Sequence, residues 1–274
     1  MENFLKHSHH LRRYGGLYCS DRDGCIYGIP NCASAILRID PRDDTVTTFG
    51  EGCFPKGGYK WHGGVLGDDG CVYGCPSHRD DVLKIIPPDS RSGKPTIRLL
   101  KVTDIDKLVS PFDSKKHCAY KFGGGVMGSN DCVYFFPSDS SRVRSAFLSL
   151  SLSLSIYIYI YTQSRENNIS YFSNTIALQV LEVNVRDESA RMIGPEYVGL
   201  NKWQNGFRAK DGSCYAIPCN ASRVLKIDRN GQVSLIGQDL SDKKEKWEGG
   251  VVGPNGHLYC MPQQANSILI IRGD

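Results

Sequence analysis

The feature that most narrows the fold is internal repetition. Five segments share one pattern: YGGLYCSDRDGCIYGIPNCASAILRID from Tyr14, KWHGGVLGDDGCVYGCPSHRDDVLKII from Lys60, KFGGGVMGSNDCVYFFPSDSSRV from Lys121, KWQNGFRAKDGSCYAIPCNASRVLKID from Lys202 and KWEGGVVGPNGHLYCMPQQANSILIIR from Lys246. Each carries a Tyr-x-x-Pro anchor, at Tyr27, Tyr73, Tyr134, Tyr215 and Tyr259. A unit of about 45 residues is too small to bury its own faces, so copies must pack on one another.

Within a unit the pattern reads as four short strands. An aromatic-x-Gly-Gly-Val stretch is followed by Asp23-Gly24, Asp69-Gly70, Asp211-Gly212 or Asn255-Gly256. These pairs tolerate the positive φ of a tight hairpin turn. A second strand runs to the proline, which ends it where no ladder donor is required. A β-branched run follows five residues on, as in Ile36-Leu37-Arg38-Ile39, and then a fourth strand such as Thr45–Phe49. Four antiparallel strands at this period predict an all-β fold, a β-propeller with five visible blades. Blade boundaries are expected near 14–59, 60–120, 121–201, 202–245 and 246–274. The glycine pairs are expected on the innermost strand, where they allow close approach. A β-sandwich would also have frequent turns, but it gives no reason for the long period. The last unit reaches Ile271 after three strands, which predicts an open five-bladed ring or a truncated larger one.

One segment does not fit. Tyr134 and Tyr215 stand 81 residues apart (215 − 134), and between them lies SAFLSLSLSLSIYIYIYT from Ser145. Alternating Leu-Ser is what a CT dinucleotide repeat encodes, and alternating Ile-Tyr is what an AT repeat encodes. Val143-Arg144 can be written with the bases of a splice donor, and Gln179 with those of an acceptor. Removing 143–179 joins Arg142 to Val180 and restores the five-residue gap from Pro137 to the β-branched run. The segment therefore reads as a non-propeller insertion inside the third blade, a retained intron. Ser at every second position of the Leu run argues against a membrane span. Asn168-Ile169-Ser170 inside it, and Asn220-Ala221-Ser222, match the glycosylation sequon.

Composition excludes other classes. With 40% hydrophobic residues the chain is not disordered as a whole, and a net charge of +4 argues against a dedicated nucleic-acid binder. The start, MENFLKHSHHLRR, has no apolar core of a secretory signal and is expected to be a disordered tail, so a cytoplasmic setting is expected. The 11 cysteines include no C-x-x-C pair, so zinc-ribbon spacing is absent and buried free thiols are expected. Lys101 to Tyr120 lengthens one connection, with a helical turn expected near Asp104–Leu108 and a basic tip at Lys115-Lys116-His117.

Two recurring features are expected on one face of the ring. One is the pair Lys60-Trp61, Lys121-Phe122, Lys202-Trp203 and Lys246-Trp247, with Arg13-Tyr14 as a fifth. The other is the polar loop after the proline, with Asn31, His78, Asp139, Asn220 and Asn266. Exposed Trp61, Phe122, Trp203 and Trp247 would stack on sugars or cations. The plainer reading makes them packing residues between blades and the lysines solvated strand ends. The next position varies, as His62, Gly123, Gln204 and Glu248, and variation is where a symmetric scaffold shows a unique site. His62, Asn205 and Glu248 could meet near the axis as a metal or acid–base cluster. The ligand-face candidates are thus Trp61, His62, Phe122, Trp203, Gln204, Trp247, Glu248 and Asn220. No catalytic residue, metal ligand or cofactor is assigned, and neither a phosphate loop nor a G-x-S-x-G motif occurs.

The unit G-G-V-x-G-x-D-G-x-x-Y-x-x-P resembles β-propeller repeats of the streptogramin-lyase-like, NHL-like and tachylectin-like type. It is similar to uncharacterised propeller repeat proteins of algae and other protists. The resemblance implies a propeller over nearly the whole chain outside 143–179. Its lectin-like members imply carbohydrate binding, and its lyase-like members imply metal-dependent lyase, lactonase or hydrolase chemistry. The expected function is a non-catalytic binding scaffold, with a protein or carbohydrate ligand on the Lys–Trp face and neither nucleic acid nor membrane as partner.

Overall fold

The structure, a computed structural model, describes residues 14–103, 120–139 and 177–273. The tail 1–13, the turn and basic tip within 104–119, and 140–176 with its Leu-Ser run and Asn168 sequon lie outside the described residues. The described chain is all β-strand and forms five antiparallel sheets. The first holds β1 (Leu17–Cys19), β2 (Ile26–Gly28), β3 (Ile36–Asp40) and β4 (Thr45–Phe49). The second holds β5 (Trp61–Leu66), β6 (Val72–Pro76), β7 (Asp81–Ile86) and β8 (Thr96–Lys101). The third holds β9 (Phe122–Met127), β10 (Cys132–Pro137), β11 (Ala177–Asn184) and β12 (Ala190–Val198). The fourth holds β13 (Trp203–Arg208), β14 (Cys214–Pro218), β15 (Val224–Ile227) and β16 (Val233–Ile236). The fifth has three strands, β17 (Trp247–Val252), β18 (Leu258–Pro262) and β19 (Leu269–Ile271). Strand order within each sheet follows the chain, so each is a meander, the form of a propeller blade.

The register is the same from blade to blade. The anchor tyrosines stand opposite Arg38, Lys84, Glu182, Lys226 and Ile270 on the third strands. In the third blade regular pairing of β11 resumes at Val180, with a register shift between Leu178 and Val180. Val180 and Leu181 are fully buried, as are Val82 and Leu83 at the same repeat positions.

The anchor tyrosine locks the hairpin turn. Tyr27 and Tyr73 donate from their hydroxyls to Asp23 Oδ2 (2.7 Å) and Asp69 Oδ2 (2.8 Å). The other oxygen of each carboxylate accepts from the amide of Cys25 or Cys71 (both 3.1 Å). A cation on the third strand completes the group: Arg38 on Asp23 (3.1 Å), Lys84 on Asp69 (3.2 Å) and, more distantly, Lys226 on Asp211 (3.9 Å). Where the turn residue is Asn130 or Asn255, the cation is replaced by Glu182 or Ile270. At these turns an aspartate thus stands where a cation faces it from the third strand.

Inner strands pack in order, β1 on β5, β5 on β9, β9 on β13 and β13 on β17. Four apolar clusters fill the seams between successive blades. Among the described residues no such cluster joins the fifth blade to the first. At one end of the hub, Arg208 Nη1 donates to the Gly128 carbonyl (3.1 Å) and to Asp68 (3.4 Å), tying three blades together. Of the glycine pairs, Gly124 approaches the next blade closely, since a Cβ there would lie 3.1 Å from the backbone of Asn205, whereas Gly249 has nothing nearer than Met261 at 3.8 Å.

Candidate functional site

At the other end of the hub, the chain enters each inner strand through the Lys–aromatic pair. The expectation of solvated lysines is corrected here: Lys60, Lys121, Lys202 and Lys246 are all at most 2% exposed. Each ammonium is spent on local structure. Lys60 Nζ donates to the carbonyls of Ala33 (2.8 Å) and Gly57 (2.9 Å), and Lys202 Nζ to those of Ser138 (2.5 Å) and Gly199 (2.7 Å). Lys246 Nζ donates to Lys243 (3.0 Å), and Lys121 pairs with Asp80 (3.2 Å). Lys60 and Lys202 therefore tie the loop of the preceding blade to the entry of their own. Burial lowers the pKa of Lys60 and Lys246 from the ordinary lysine value.

The backbone adds a relay that runs from blade to blade. The Lys60 amide donates to Asn31, and Ser77 donates back to the Lys60 carbonyl. Lys121 donates to Ser77, Ser138 to Lys121, Lys202 to Ser138, Cys219 to Lys202, Lys246 to Cys219 and Gln263 to Lys246. Buried backbone groups must be paired, and here the pairing itself stitches successive blades at the hub.

The aromatic partners of the lysines face inward. Trp61, Phe122, Trp203 and Trp247 are 0–5% exposed. Three indoles donate from Nε1 to a loop carbonyl: Trp61 to Asp81 (2.9 Å), Trp203 to Arg223 (2.9 Å) and Trp247 to Ser267 (2.7 Å). Phe54 meets Trp61 edge-on, and Tyr197 meets Trp203 likewise. These rings pack the seams and offer no open face to a ligand.

A bulge falls at the variable position. Register shifts fall between Trp61 and Gly64, between Trp203 and Gly206, and between Trp247 and Gly249. The third residue has positive φ at Gly63 (77°), Gly124 (127°) and Asn205 (57°). Asparagine is among the few side chains that accept this region readily. His62 and Glu248 are exposed, while Gln204 is half-buried and donates to Ser138 Oγ (2.9 Å) and to Asn201. Asn205 donates to the Glu248 carbonyl (3.1 Å), so these two neighbour each other, and no contact brings His62 to them. Among the described residues no three His, Cys, Asp or Glu groups are placed to hold a metal ion. Asn220 braces two loops, donating to Leu200 (3.1 Å) and accepting from the Glu245 amide (2.6 Å).

A group that repeat reading passed over stands on the same face. The residue just before each lysine has left-handed backbone: Tyr59 (φ 44°), Tyr120 (φ 50°), Asn201 (φ 51°) and Glu245 (φ 49°). For tyrosine this is a costly conformation, and it is held in place by the amide of His78 on the Tyr59 carbonyl (3.1 Å) and of Asp139 on that of Tyr120 (2.9 Å). The two tyrosine rings lie 5.8 Å apart, and His78 completes a triangle with them, 5.5 Å from Tyr59 and 4.7 Å edge-on to Tyr120. Tyr59 is 37% exposed and Tyr120 42%. Burial and the Lys121 charge lower the His78 pKa, which favours the neutral imidazole. Its Nε2 is buried without a hydrogen-bond partner among the described residues. The sequence signal was present as the Tyr, Tyr, Asn, Glu variation in the column before the lysine.

The buried thiols are not poised as nucleophiles. Burial pushes Cys25, Cys71 and Cys132 up to about 11, and Cys75, Cys214 and Cys260 up to about 12. The cysteines among the described residues are free, with Cys19 and Cys53 exposed.

No family model and no curated protein matches the sequence. Solved structures are similar in fold. Virginiamycin B lyase from Staphylococcus aureus matches with a TM-score of 0.44 at 14% identity, over 95% of this chain and 81% of that one. PorZ, a surface component of the type-IX secretion system of Porphyromonas gingivalis, matches with a TM-score of 0.51 at 11% identity, over 90% of this chain and 30% of that one. The WD40 repeats of RRP9 match with a TM-score of 0.47 at 9% identity, over 92% of this chain and 58% of that one. At such identities a likeness speaks for fold alone. The repeated meanders, their common register and the blade-to-blade hub relay make this chain a β-propeller repeat protein.

Proposed function

We propose that the protein is a non-catalytic binding scaffold. Its ligand face is the hub face that carries the lysine loops, and its anchor is the Tyr59–His78–Tyr120 cluster. One observation carries this reading. The cluster is the place where the repeats stop being alike and aromatic side chains stand in solvent. Tyrosine gives large, rigid contact area with a polar tip at low entropic cost, and it is enriched where proteins bind proteins. The partner class that fits is therefore a protein surface. A ring of equal lectin-like sites would need open tryptophan faces, and those are in the seams.

The test is quantitative binding to a partner recovered by crosslinking on the intact chain. Tyr59→Ala with Tyr120→Ala should weaken it at least tenfold, on the scale of a lost hot spot of about 1.4 kcal/mol or more. Met261→Ala, on another face, should leave it unchanged. Equal affinity for all three proteins would refute the anchor, and selective binding on a glycan array would replace the protein partner with a sugar.

A further inference from the structure

A groove at the seam between the third and fourth blades stands apart from the Tyr59–His78–Tyr120 cluster. Its volume of about 500 Å³ falls in the range of roughly 300–1,000 Å³ that small-molecule sites occupy. Its walls are the connection that leads from Tyr197 into Trp203, the loop from Asn220 to Ser222, Leu235 of β16, and Lys244 of the next connection. Hydrogen bonds tie these walls together. Asn220 bridges Leu200 and Glu245, the Leu240 amide donates to the Ser222 carbonyl (2.7 Å), and Lys202 holds the Gly199 carbonyl. A groove braced in this way is formed before a ligand arrives, which lowers the ordering cost of binding.

The lining is apolar, with Val198, Leu200 and Leu235 left exposed around it. Tyr197 is the exception within its own wall. At the seam of the first two blades Phe54 meets Trp61 edge-on, and at the seam of the last two Leu240 joins the cluster of Trp247. Tyr197 meets Trp203 as Phe54 meets Trp61, but with a hydroxyl added. Tyr197 is 9% exposed, and among the described residues its buried hydroxyl has no hydrogen-bond partner. An unpaired hydroxyl carries a desolvation cost that phenylalanine would avoid. Burial pushes its pKa up to about 12, so it is a donor at neutral pH. The charge of the lining is one-sided. Lys244 is exposed at the mouth, the Lys202 ammonium is spent on backbone carbonyls, and among the described residues no carboxylate lines the groove.

We propose that this groove binds a small amphipathic carboxylate. The hydrocarbon body of the ligand takes Val198, Leu200 and Leu235 out of water, which supplies most of the affinity. Its carboxylate meets Lys244 at the mouth, and a second oxygen accepts from the Tyr197 hydroxyl, a bond strengthened by the lack of competing partners. A cationic ligand finds no counter-charge here. A phosphate is a poorer match, because one lysine leaves its further charge and oxygens against apolar walls. The site lies on a different seam surface from the protein-binding anchor, so the two readings stand or fall separately.

The experiment titrates the full chain by calorimetry with cinnamate, cinnamamide and cinnamylamine, which share one apolar body, and with para-coumarate, which adds a phenolic oxygen to cinnamate. Cinnamate should saturate, and the amide and the amine should bind at least about tenfold more weakly. Leu200→Asp and Lys244→Glu, both at exposed positions, should each weaken cinnamate at least about tenfold, and Lys244→Glu should turn the preference toward the amine. Para-coumarate should bind more tightly than cinnamate. Tyr197→Phe should abolish that advantage without lowering the melting temperature, since it deletes an unpaired hydroxyl. Met261→Asp, on an exposed apolar surface elsewhere, should leave binding unchanged and controls for general adhesion. Five results would overturn the proposal: no saturation up to about 5 mM; equal binding of carboxylate, amide and amine; cinnamate affinity that survives Leu200→Asp and is lost in Met261→Asp; a para-coumarate advantage that is absent from the start or persists in Tyr197→Phe; or binding that emerges only when 143–179 is deleted, which would place a segment of this chain in the groove.

Discussion

Ile29, Cys75, Phe136 and Ile217 occupy one position of the repeat in the first four blades, and all four are sealed from water. Met261 occupies that position in the fifth blade and is 61% exposed. Ile268 is 60% exposed, while its equivalents Ile36, Val82, Val180 and Val224 are at most 5% exposed. The side chains are of one kind, so the difference lies in what stands beside them. Each of the first four blades is covered on this face by the next, and the fifth has no successor among the described residues. Burial in a repeat protein belongs to the neighbour pair rather than to the unit. The exposed stripe of Val251, Met261, Ile268 and Ile270 is the open end of a stack.

The largest expected effect separates these two regions directly. Phe136→Ala removes a ring from the seam between the third and fourth blades, where it packs with Trp203 and Leu225. It should cost about 3–5 kcal/mol in urea unfolding. Met261→Ala at the matching position should stay within about 0.5 kcal/mol, as for ordinary surface changes. Similar losses at both sites would mean that the fifth blade is covered after all.

The next effect contrasts charged and neutral turns. Burial alone would raise the Asp23 and Asp69 carboxyls, but their hydrogen bonds from tyrosine, amide and cation outweigh it and hold both below 3.8. A carboxyl depressed in the folded state adds stability that is present above the unfolded pKa and is lost as pH falls through the folded value. The first two blades should therefore loosen below about pH 4. The fifth, with Asn255 facing Ile270, has no such group and should be indifferent. Thermal melts across pH check this: Asp23→Asn with Asp69→Asn should lower stability at pH 7 and flatten its acid dependence. A slope as steep as that of the unaltered protein would sever the link between these turns and acid sensitivity.

The smallest effect is expected from deleting 143–179, which joins Arg142 to Val180. Excision restores the five-residue gap from Pro137 to the β-branched run and removes from β11 only Ala177, Leu178 and Gln179, and a shorter connection costs slightly less entropy to close. Stability should change by under about 1 kcal/mol, in the favourable direction. Sequencing the mature message is the companion measurement. A message spliced from Arg142 to Val180 is expected, and one that retains the Leu-Ser codons would end the intron reading.

Much of the fold was legible because repetition multiplies weak local signals. One Asp-Gly turn or one Tyr-x-x-Pro says little, but five Tyr-x-x-Pro anchors, four of them preceded in phase by an Asp-Gly or Asn-Gly turn, define a series of blades. The lysines were misread for a physical reason. Lysine belongs outside unless paired, and here the pairing carbonyls come from Ala33 and Ser138 of the preceding blade, so no local pattern announces them. The tryptophans could not be assigned to a seam or a ligand face until the blades were placed side by side. The Tyr59–His78–Tyr120 cluster was the least legible. It is assembled across blades from residues in backbone conformations that no propensity favours, and only its column of differences showed in the sequence.

The central claim is that one repeat position is sealed in four blades and open in the fifth. Thiol labelling measures it with the chain's own chemistry, since Cys75 already occupies that position with its thiol pushed up to about 12. In the Met261→Cys protein under native conditions, the new thiol should react at a rate close to that of a short peptide. Cys75 should react only as fast as the protein unfolds. Equal protection of both thiols would contradict the account.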